Sequence, residues 1–419
     1  MMLFEKKKLK ECCISISDGD HQPPPKADRG IPFITISNID NMNRIDFTNA
    51  MYVSEDYYSN LADIRKAKSG DILYTVVGSF GIPVYIDSDY MFVFQRHIAI
   101  LRANKEVILP RYLYYILLNS EFYMKADYLA IGAAQRTLSL NALRNMEINI
   151  PPLEMQKKVV DILSVIDNKI NTNKTINDNL EQIIRSIFEF WFTQHNFPNA
   201  SGTPYANTDG IMQYNDSLKQ NIPLLWNCIP LGELCSLKNG INYDKSLPGD
   251  KCFKIINVRN ISSTTLLLDA EEFDDIYLTE SQAKNYIVST NDIIIARSGT
   301  PGATRLILNP TKKTIYCGFI ICCTPHNPLH KLYLTYTLKQ LEGTNATKTG
   351  GSILQNVSQD TLKTINVCVP PDTLLQNFND TVSDKFELLI SIIEENKKLI
   401  GLRDWLLPML MNGQATIED

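Results

Sequence analysis

The sequence lacks the features of membrane, secreted and zinc-binding proteins. It has no apolar run of the roughly 18 residues that a transmembrane helix needs, and the basic N-terminus MMLFEKKKLKE is not followed by an apolar stretch. Its nine cysteines form no CxxC pair and have no flanking histidines at zinc spacing. This pattern favours buried thiols in a reducing cytosol. We therefore expect a soluble cytoplasmic protein without a bound metal.

Motifs of nucleotide-dependent and hydrolytic enzymes are also missing. There is no G-x-x-x-x-G-K-S/T phosphate loop, no G-x-G-x-x-G after a strand and no H-E-x-x-H. The segment NIPPL at Asn149 is similar to an amino-methyltransferase motif, but Ile150 interrupts it. The spacing of His326 and His330 is compatible with a metal site, although two histidines at this spacing more often lie in a surface loop. We expect a chain that does not catalyse and carries no cofactor.

The net charge of −5 taken alone argues against a nucleic-acid binder, but the charge is distributed unevenly along the chain. Residues 1–150 carry 17 Lys and Arg against 17 Asp and Glu, and residues 223–369 carry 14 against 12. The acidic excess lies in residues 151–222, with 6 against 8, and in residues 370–419, with 4 against 9. A neutral segment can still present a basic face to DNA, whereas acidic helices suit protein partners better than phosphates.

The strongest positive feature is an internal repeat. PPLEMQKKVVDILSVIDNKI from Pro151 is similar to PPDTLLQNFNDTVSDKFELLI from Pro370, and SGDILYTVVGSFG from Ser69 is similar to TNDIIIARSGTPG from Thr290. The offset between the copies changes by only a few positions from the early segments ISNI and VRNI to the Pro-Pro pairs. Because this drift is small, loops have changed length while the elements stayed, and the chain contains two copies of one module.

Each copy begins with a segment that predicts an α+β fold. Short runs rich in β-branched and aromatic residues are bounded by Gly, Pro and Asn, and one helical pattern comes late in each copy. Tyr52 and Tyr277 are expected in the core. The predicted divisions are a first body at 1–150, a first helical repeat at 151–195, a linker at 196–222, a second body at 223–369 and a second helical repeat at 370–412.

The helical repeats have apolar residues in alternating steps of three and four over about four heptads, which predicts a coiled-coil seam. Tandem copies meet across a local two-fold only if their helices run antiparallel, so we predict an antiparallel coiled coil roughly 60 Å long. Asn177 and Asn396 occupy equivalent seam positions and are expected to fix the register, with a solvated position as the alternative. Pro408 is expected to end or kink the second helix.

With these motifs, the chain resembles the specificity subunits of type I restriction-modification systems. The resemblance covers essentially the whole chain and rests on PPLEMQKKVVDILSVIDNKI and on RDWLLPMLMNG near the end of the second repeat, while PPDTLLQNFND departs by lacking the usual Leu-Glu. It implies a non-catalytic subunit that binds double-stranded DNA, with one half of a bipartite target for each target-recognition domain and the antiparallel helices setting the gap. Methyltransferase and restriction subunits are the implied partners.

Loop residues of both bodies are candidates for DNA contacts. Glycine turns allow backbone N–H groups to approach phosphate, although they are also frequent as simple strand turns. Arg pairs with guanine or phosphate and Gln with adenine, with a solvated loop as the alternative at each position. The candidates are Gly78, Ser79, Gly81, Arg96, Gln135 and Arg136 in the first body and Arg297, Gly299, Thr300, Gly302, Arg305, Lys348 and Gln355 in the second.

A protein of another class stays open at this point. A coiled-coil scaffold whose bodies bind protein, without its own sequence-specific DNA reading, would also have acidic helices. Only a DNA reader should lose DNA affinity steeply as salt rises. A stand-alone methyltransferase or nuclease would need activity in the purified chain, and we expect none.

Overall fold

The computed structural model describes residues 4–19, 24–40, 43–48, 50–132, 135–208, 210–243, 249–262, 265–342 and 357–414. The chain forms two compact units, Met1–Thr172 with Glu395–Asp419 and Asn173–Glu394. The division falls within two long helices, Leu153–Phe188 and Asp372–Met411. Each unit therefore contains one α+β body together with a stretch of both long helices.

The body of the first unit is built on an antiparallel sheet in the order Cys13–Asp18, Ile98–Ala103, Ile72–Thr75 and Pro83–Tyr85. All four residues of Ile72–Thr75 are buried, as an apolar central strand requires. The remaining strands are Glu5–Lys8, Ile31–Ile34, Met51–Val53, Val93–Phe94 and Glu147–Ile150, and the helices before the first long helix are Leu9–Cys12, Ile36–Asn38, Glu55–Ser59, Asp63–Arg65, Pro110–Leu118, Ser120–Leu129 and Leu140–Asn145.

The second unit repeats this sheet as Cys235–Asn239, Ile320–Pro325, Ile293–Ala296 and Thr304–Leu308, and adds Leu267–Asp269 as a parallel edge strand. Its other strands are Met212–Asn215, Gln220–Pro223, Asn227–Pro230, Lys251–Ile256, Asp274–Leu278, Thr314–Tyr316 and Asn366–Val369. Its shorter helices are Glu189–Thr193, Leu231–Leu234, Val258–Ile261, Ala270–Glu272, Glu280–Ala283, Lys284–Tyr286, Pro328–His330, Lys331–Gln340 and Gln359–Lys363.

The two long helices begin in the same way. Pro152 O accepts from the N–H of Met155 at 2.9 Å and of Gln156 at 3.0 Å, and Pro371 O accepts from Leu374 at 2.9 Å and from Leu375 at 3.2 Å. A proline just before or at a helix start is tolerated because its missing N–H has no intrahelical partner there. The departure in PPDTLLQNFND therefore does not change how the second long helix starts.

The helices run antiparallel inside each unit. In the first unit Lys169 Nζ lies 3.2 Å from Glu395 Oε2, while Asp167 lies against Arg403. In the second unit Leu180 packs with Leu389 and Ile392. The predicted α+β fold with an antiparallel coiled coil is confirmed. All predicted seam residues of the first long helix are buried or half-buried: Leu163, Ile166, Ile170, Asn173, Asn177, Leu180, Ile184, Ile187 and, just beyond it, Trp191.

The two seam asparagines have different surroundings. Asn396 Nδ2 donates to the backbone oxygen of Ile170 at 3.4 Å, a long contact that ties the two helices at one position. Asn177 is half-buried, and its Oδ1 is enclosed without a hydrogen-bond donor among the described residues. Their role in fixing the register stays a prediction.

Four local features differ from the sequence-based expectations. The second long helix continues through Pro408 to Met411, so Pro408 does not end it, while a kink at this residue stays a prediction. Tyr277 is 56% exposed, because it lies on the edge strand Asp274–Leu278 with its side chain on the solvent face. The late helical pattern of the first body is two helices, since the Asn119 side chain accepts from Glu121 N–H and starts a second one. The predicted linker 196–222 contains most of an antiparallel strand pair, in which 212–215 lies opposite 220–223.

In the described part of the chain, no helix combines the length and the apolar character that crossing a lipid bilayer requires.

Candidate DNA interface

Three loops of the first body meet at one edge of its antiparallel sheet. Val76 N–H donates to His97 O, Gly78 N–H to Arg136 O, and Leu138 N–H to Val76 O, each at 2.8 Å. These bonds join the glycine turn, the turn that carries Arg96, and the loop that carries Gln135 and Arg136. We call residues 77–81, 95–97 and 135–137 the first loop cluster. Candidates far apart in the sequence thus lie side by side.

The second body has an equivalent arrangement. Arg297 N–H donates to Phe319 O at 2.8 Å, and Val357 N–H donates to Arg297 O at 2.9 Å. Residues 297–302 and 317–319, together with Val357, form the second loop cluster. Each of these positions is the repeat counterpart of a position in or next to the first loop cluster. Lys348 and Gln355 lie outside the described residues.

The glycines of both turns are explained by local geometry. Gly78, Gly81, Gly299 and Gly302 have φ values of 72°, 89°, 77° and 86°, in the left-handed region that glycine adopts without a steric penalty. A Cβ on Gly81 would lie 2.5 Å from the Tyr123 ring, and one on Gly299 would lie 2.7 Å from Val258. The turns therefore need glycine for their own conformation and packing, whatever they bind.

Several backbone N–H groups of the two glycine turns donate hydrogen bonds within the protein. Gly78 N–H donates to Arg136 O, Gly81 N–H donates to Thr75 O at 2.8 Å, and Gly302 N–H donates to Ala296 O at 2.8 Å. Each backbone N–H group has a single donor hydrogen, and in these three residues it is engaged within the protein. Their contact with phosphate stays a prediction.

The arginine candidates fall into two groups. Arg305 is 4% exposed, and its Nη1 donates to Glu342 Oε1 at 2.7 Å and to Thr304 O at 2.6 Å, in a strand whose residues are all buried. Arg136 donates to Asp127 Oδ1 at 2.7 Å. Arg96 is exposed and Arg297 half-buried, and neither guanidinium has a hydrogen-bond or ion-pair partner among the described residues. The guanidinium of Arg305 is therefore buried and paired, and DNA contact by this residue stays a prediction.

His326 and His330, whose spacing is compatible with a metal site, contact different partners in the second unit. His326 has ring nitrogens 3.1 Å from Ser236 Oγ and from Glu233 O, and His330 Nε2 lies 3.0 Å from Asp372 Oδ1. The two imidazoles therefore hold different parts of the second unit instead of facing one site. Among the described residues no group of three or more His, Cys, Asp or Glu could hold a metal ion.

The model of the type I restriction modification DNA specificity domain matches this chain twice, at residues 3–182 and 223–400. The chain belongs to this family. Its two specificity domains contain the first and the second loop cluster respectively. The alternative of a scaffold without its own DNA specificity is not favoured.

Curated relatives agree with this assignment. The specificity subunit of the type I restriction enzyme HindI from Haemophilus influenzae is 23% identical over 92% of this chain and 96% of its own length. The MjaIX specificity subunit from Methanocaldococcus jannaschii is 24% identical over 75% of this chain and 71% of its length. A solved S subunit of a type I system from M. genitalium covers 98% of this chain and 96% of its own, at 15% identity and a TM-score of 0.47.

An exposed aromatic residue of the second specificity domain was missed by the sequence reasoning. Phe319 is 62% exposed within the second loop cluster. It is the repeat counterpart of His97, so the repeat spacing was the signal that could have found it. Phenylalanine carries no charge and no hydrogen-bonding group, so it is not among the basic and amide side chains expected to contact DNA.

Proposed function

We propose that this chain is the DNA-recognition subunit of a type I restriction-modification complex, and that each specificity domain reads one half of a bipartite target on double-stranded DNA. The observation that carries the proposal is the pair of loop clusters, which share one backbone hydrogen-bond pattern and differ in their exposed side chains. The first presents Ser79, Arg96 and Gln135, and the second presents Thr300 and Phe319. Two similar frames with different side chains suit two half-sites of different sequence.

The partners follow from the same proposal. Methyltransferase and restriction subunits bind the chain and supply the chemistry, while the chain has no catalytic role, uses no cofactor and works in the cytoplasm. The acidic helical repeats support this division of labour, because carboxylates repel DNA phosphates but can bind basic protein surfaces. In this arrangement the long helices set the distance between the half-sites.

Methylome sequencing of the host, with and without the gene for this chain, tests the proposed function. We expect one methylated motif made of two different base blocks separated by a fixed number of unspecified bases, and we expect it to disappear on deletion. Restoring the wild-type gene should bring the motif back, which serves as the control. A continuous motif would contradict the bipartite target, and an unchanged methylome would contradict the proposed function as a whole.

Arg96 and Arg297 give a local test of DNA contact. Changing either to alanine is expected to weaken binding of the target and to lower the slope of log affinity against log salt by about 1, because one phosphate contact is lost. Titration of the complex with labelled target DNA between low and physiological salt measures this slope. Lys105→Ala is the matched control, since Lys105 is an exposed cation of the first body outside the loop cluster. Equal slopes for the arginine variants and wild type would exclude these contacts.

A further inference from the structure

The ring of Phe319 is largely exposed within the second loop cluster. Phe319 lies at the turn between the strands Thr314–Tyr316 and Ile320–Pro325, and 62% of it faces solvent. Its neighbour Ile320 is fully buried. A phenylalanine left in water forgoes roughly 1.5–3 kcal/mol that burial would contribute. The ring thus presents apolar surface at the place where the candidate contacts of the second domain come together.

The backbone under this ring is held from two sides. Arg297 N–H donates to Phe319 O at 2.8 Å, while Gly240 N–H donates to Ile320 O at 2.9 Å. The packing on the second side is close, because a Cβ on Gly240 would lie 2.2 Å from Cys317 O and one on Gly318 would lie 2.0 Å from Asn242 Oδ1. An aromatic side chain on a fixed backbone has only two rotatable bonds to order, so a contact through it loses little conformational entropy.

The first domain has the same frame with different chemistry. Val76 N–H donates to His97 O at 2.8 Å, and Gly19 N–H donates to Ile98 O at 3.2 Å, which are the counterparts of the two bonds that hold Phe319. The tip of this turn carries Arg96 and His97, where the second domain has Gly318 and Phe319. One frame offers a cation and an imidazole to its ligand, and the other offers an uncharged ring.

We propose that Phe319 makes an apolar contact with a base in the half-site that the second specificity domain reads. This inference rests on the proposed function and adds a specificity-determining residue to it. Two base features accept such a ring: the methyl group of thymine in the major groove, and the face of a base at a step that the ring partly opens. In both cases the contact reads a base and neutralises no phosphate.

Phe319→Ala in the full chain, isolated from its host with its bound subunits, tests the inference on target DNA defined by the methylome. We expect affinity to fall about 10- to 100-fold, as for the loss of one base-aromatic contact, with an unchanged salt slope because no charge is removed. Phe319→Leu should lose less affinity than Phe319→Ala, because leucine keeps a large apolar side chain at this position. Tyr277→Ala is the matched control, because Tyr277 is 56% exposed on the edge strand Asp274–Leu278 and should leave affinity unchanged.

Modified DNA separates the two base features. Each thymine of the second half-site is replaced in turn by uracil, which lacks the methyl group. If Phe319 contacts a thymine methyl group, one of these replacements lowers the DNA affinity of wild type and leaves the affinity of Phe319→Ala unchanged. If the ring instead opens a base step, the fluorescence of a 2-aminopurine placed at that step rises when wild type binds and does not rise when Phe319→Ala binds. Either result supports the inference. Equal affinity of wild type and Phe319→Ala, or a loss that persists when the second half-site is scrambled, overturns it. Failure of wild type to bind the bipartite target contradicts the proposed function instead.

Discussion

Replacing Arg403 by methionine is expected to lower the free energy of unfolding of the first unit by about 3 kcal/mol. Arg403 Nη1 lies 3.3 Å from Asp167 Oδ1, and the Tyr115 hydroxyl donates to Asp167 Oδ2 at 2.8 Å. The side chains of Arg403 and Asp167 are only 16% and 8% exposed. Without the guanidinium, Asp167 stays buried as an anion with Tyr115 and with Arg111 at 4.0 Å. The decrease in the free energy of unfolding is therefore expected at the lower end of the range for breaking a buried ion pair.

This network matters because it joins three elements of the first unit. Tyr115 belongs to the helix Pro110–Leu118 of the α+β body, Asp167 to the first long helix and Arg403 to the second. The ion pair and the hydrogen bond therefore fix the first specificity domain to both helices. Loosening it should raise hydrogen exchange in Pro110–Leu118 together with the helix pair.

Urea unfolding with hydrogen-exchange detection measures the effect. Lys157→Ala is the matched control, because it removes a cation from an exposed pair with Asp161 on the same helix pair and should cost less than about 0.5 kcal/mol. Adding Asp167→Asn to Arg403→Met should recover part of the loss, since the amide oxygen still accepts from Tyr115 and the buried carboxylate is gone. A cost for Arg403→Met no larger than that of Lys157→Ala would show that the pair contributes nothing beyond a surface contact.

Much of this architecture could be predicted because the repeat carries it. Heptad spacing and the Pro-Pro pairs give both long helices and their seam, since these depend on local periodicity. The nearly constant offset between the copies anticipates hydrogen bonds that appear twice, such as Leu9 N–H to Met146 O and Leu231 N–H to Ile365 O, both present in the structure. Recurrent spacing in a repeat reflects a recurrent backbone frame.

The side-chain environment of the loops could not be predicted in the same way. Whether Arg305 faces DNA depends on the pleat of its strand and on Glu342, which lies 37 residues further along the chain. Whether a glycine N–H is available depends on a carbonyl from another loop, as with Gly78 and Arg136. Such pairings are tertiary and leave no local pattern. The charged network at Asp167 is of the same kind, because its partners come from three separate segments.

Replacing Phe378 by alanine is expected to lower the free energy of unfolding of the second unit by about 4 kcal/mol. Phe378 lies on the second long helix and is completely buried. Its ring centroid lies 6.2 Å from that of Phe188, 5.9 Å from Trp191 and 5.0 Å from Phe192. Alanine removes the aromatic contacts and leaves a cavity in a cluster that cannot collapse, since Phe192 is also held at 5.0 Å by Tyr333.

Tryptophan fluorescence during urea unfolding reports this loss directly. Trp191 and Trp226 are buried in the second unit, whereas Trp405 is 57% exposed in the first, so a change in buried-tryptophan emission follows the second unit. Phe378→Leu keeps most of the apolar volume and should cost about 1.5 kcal/mol. Leu388→Ala is the control on the same helix, because Leu388 is 48% exposed and should cost less than about 1 kcal/mol. Similar midpoints for Phe378→Ala and Leu388→Ala would mean that the aromatic cluster does not anchor the helix pair to the second specificity domain.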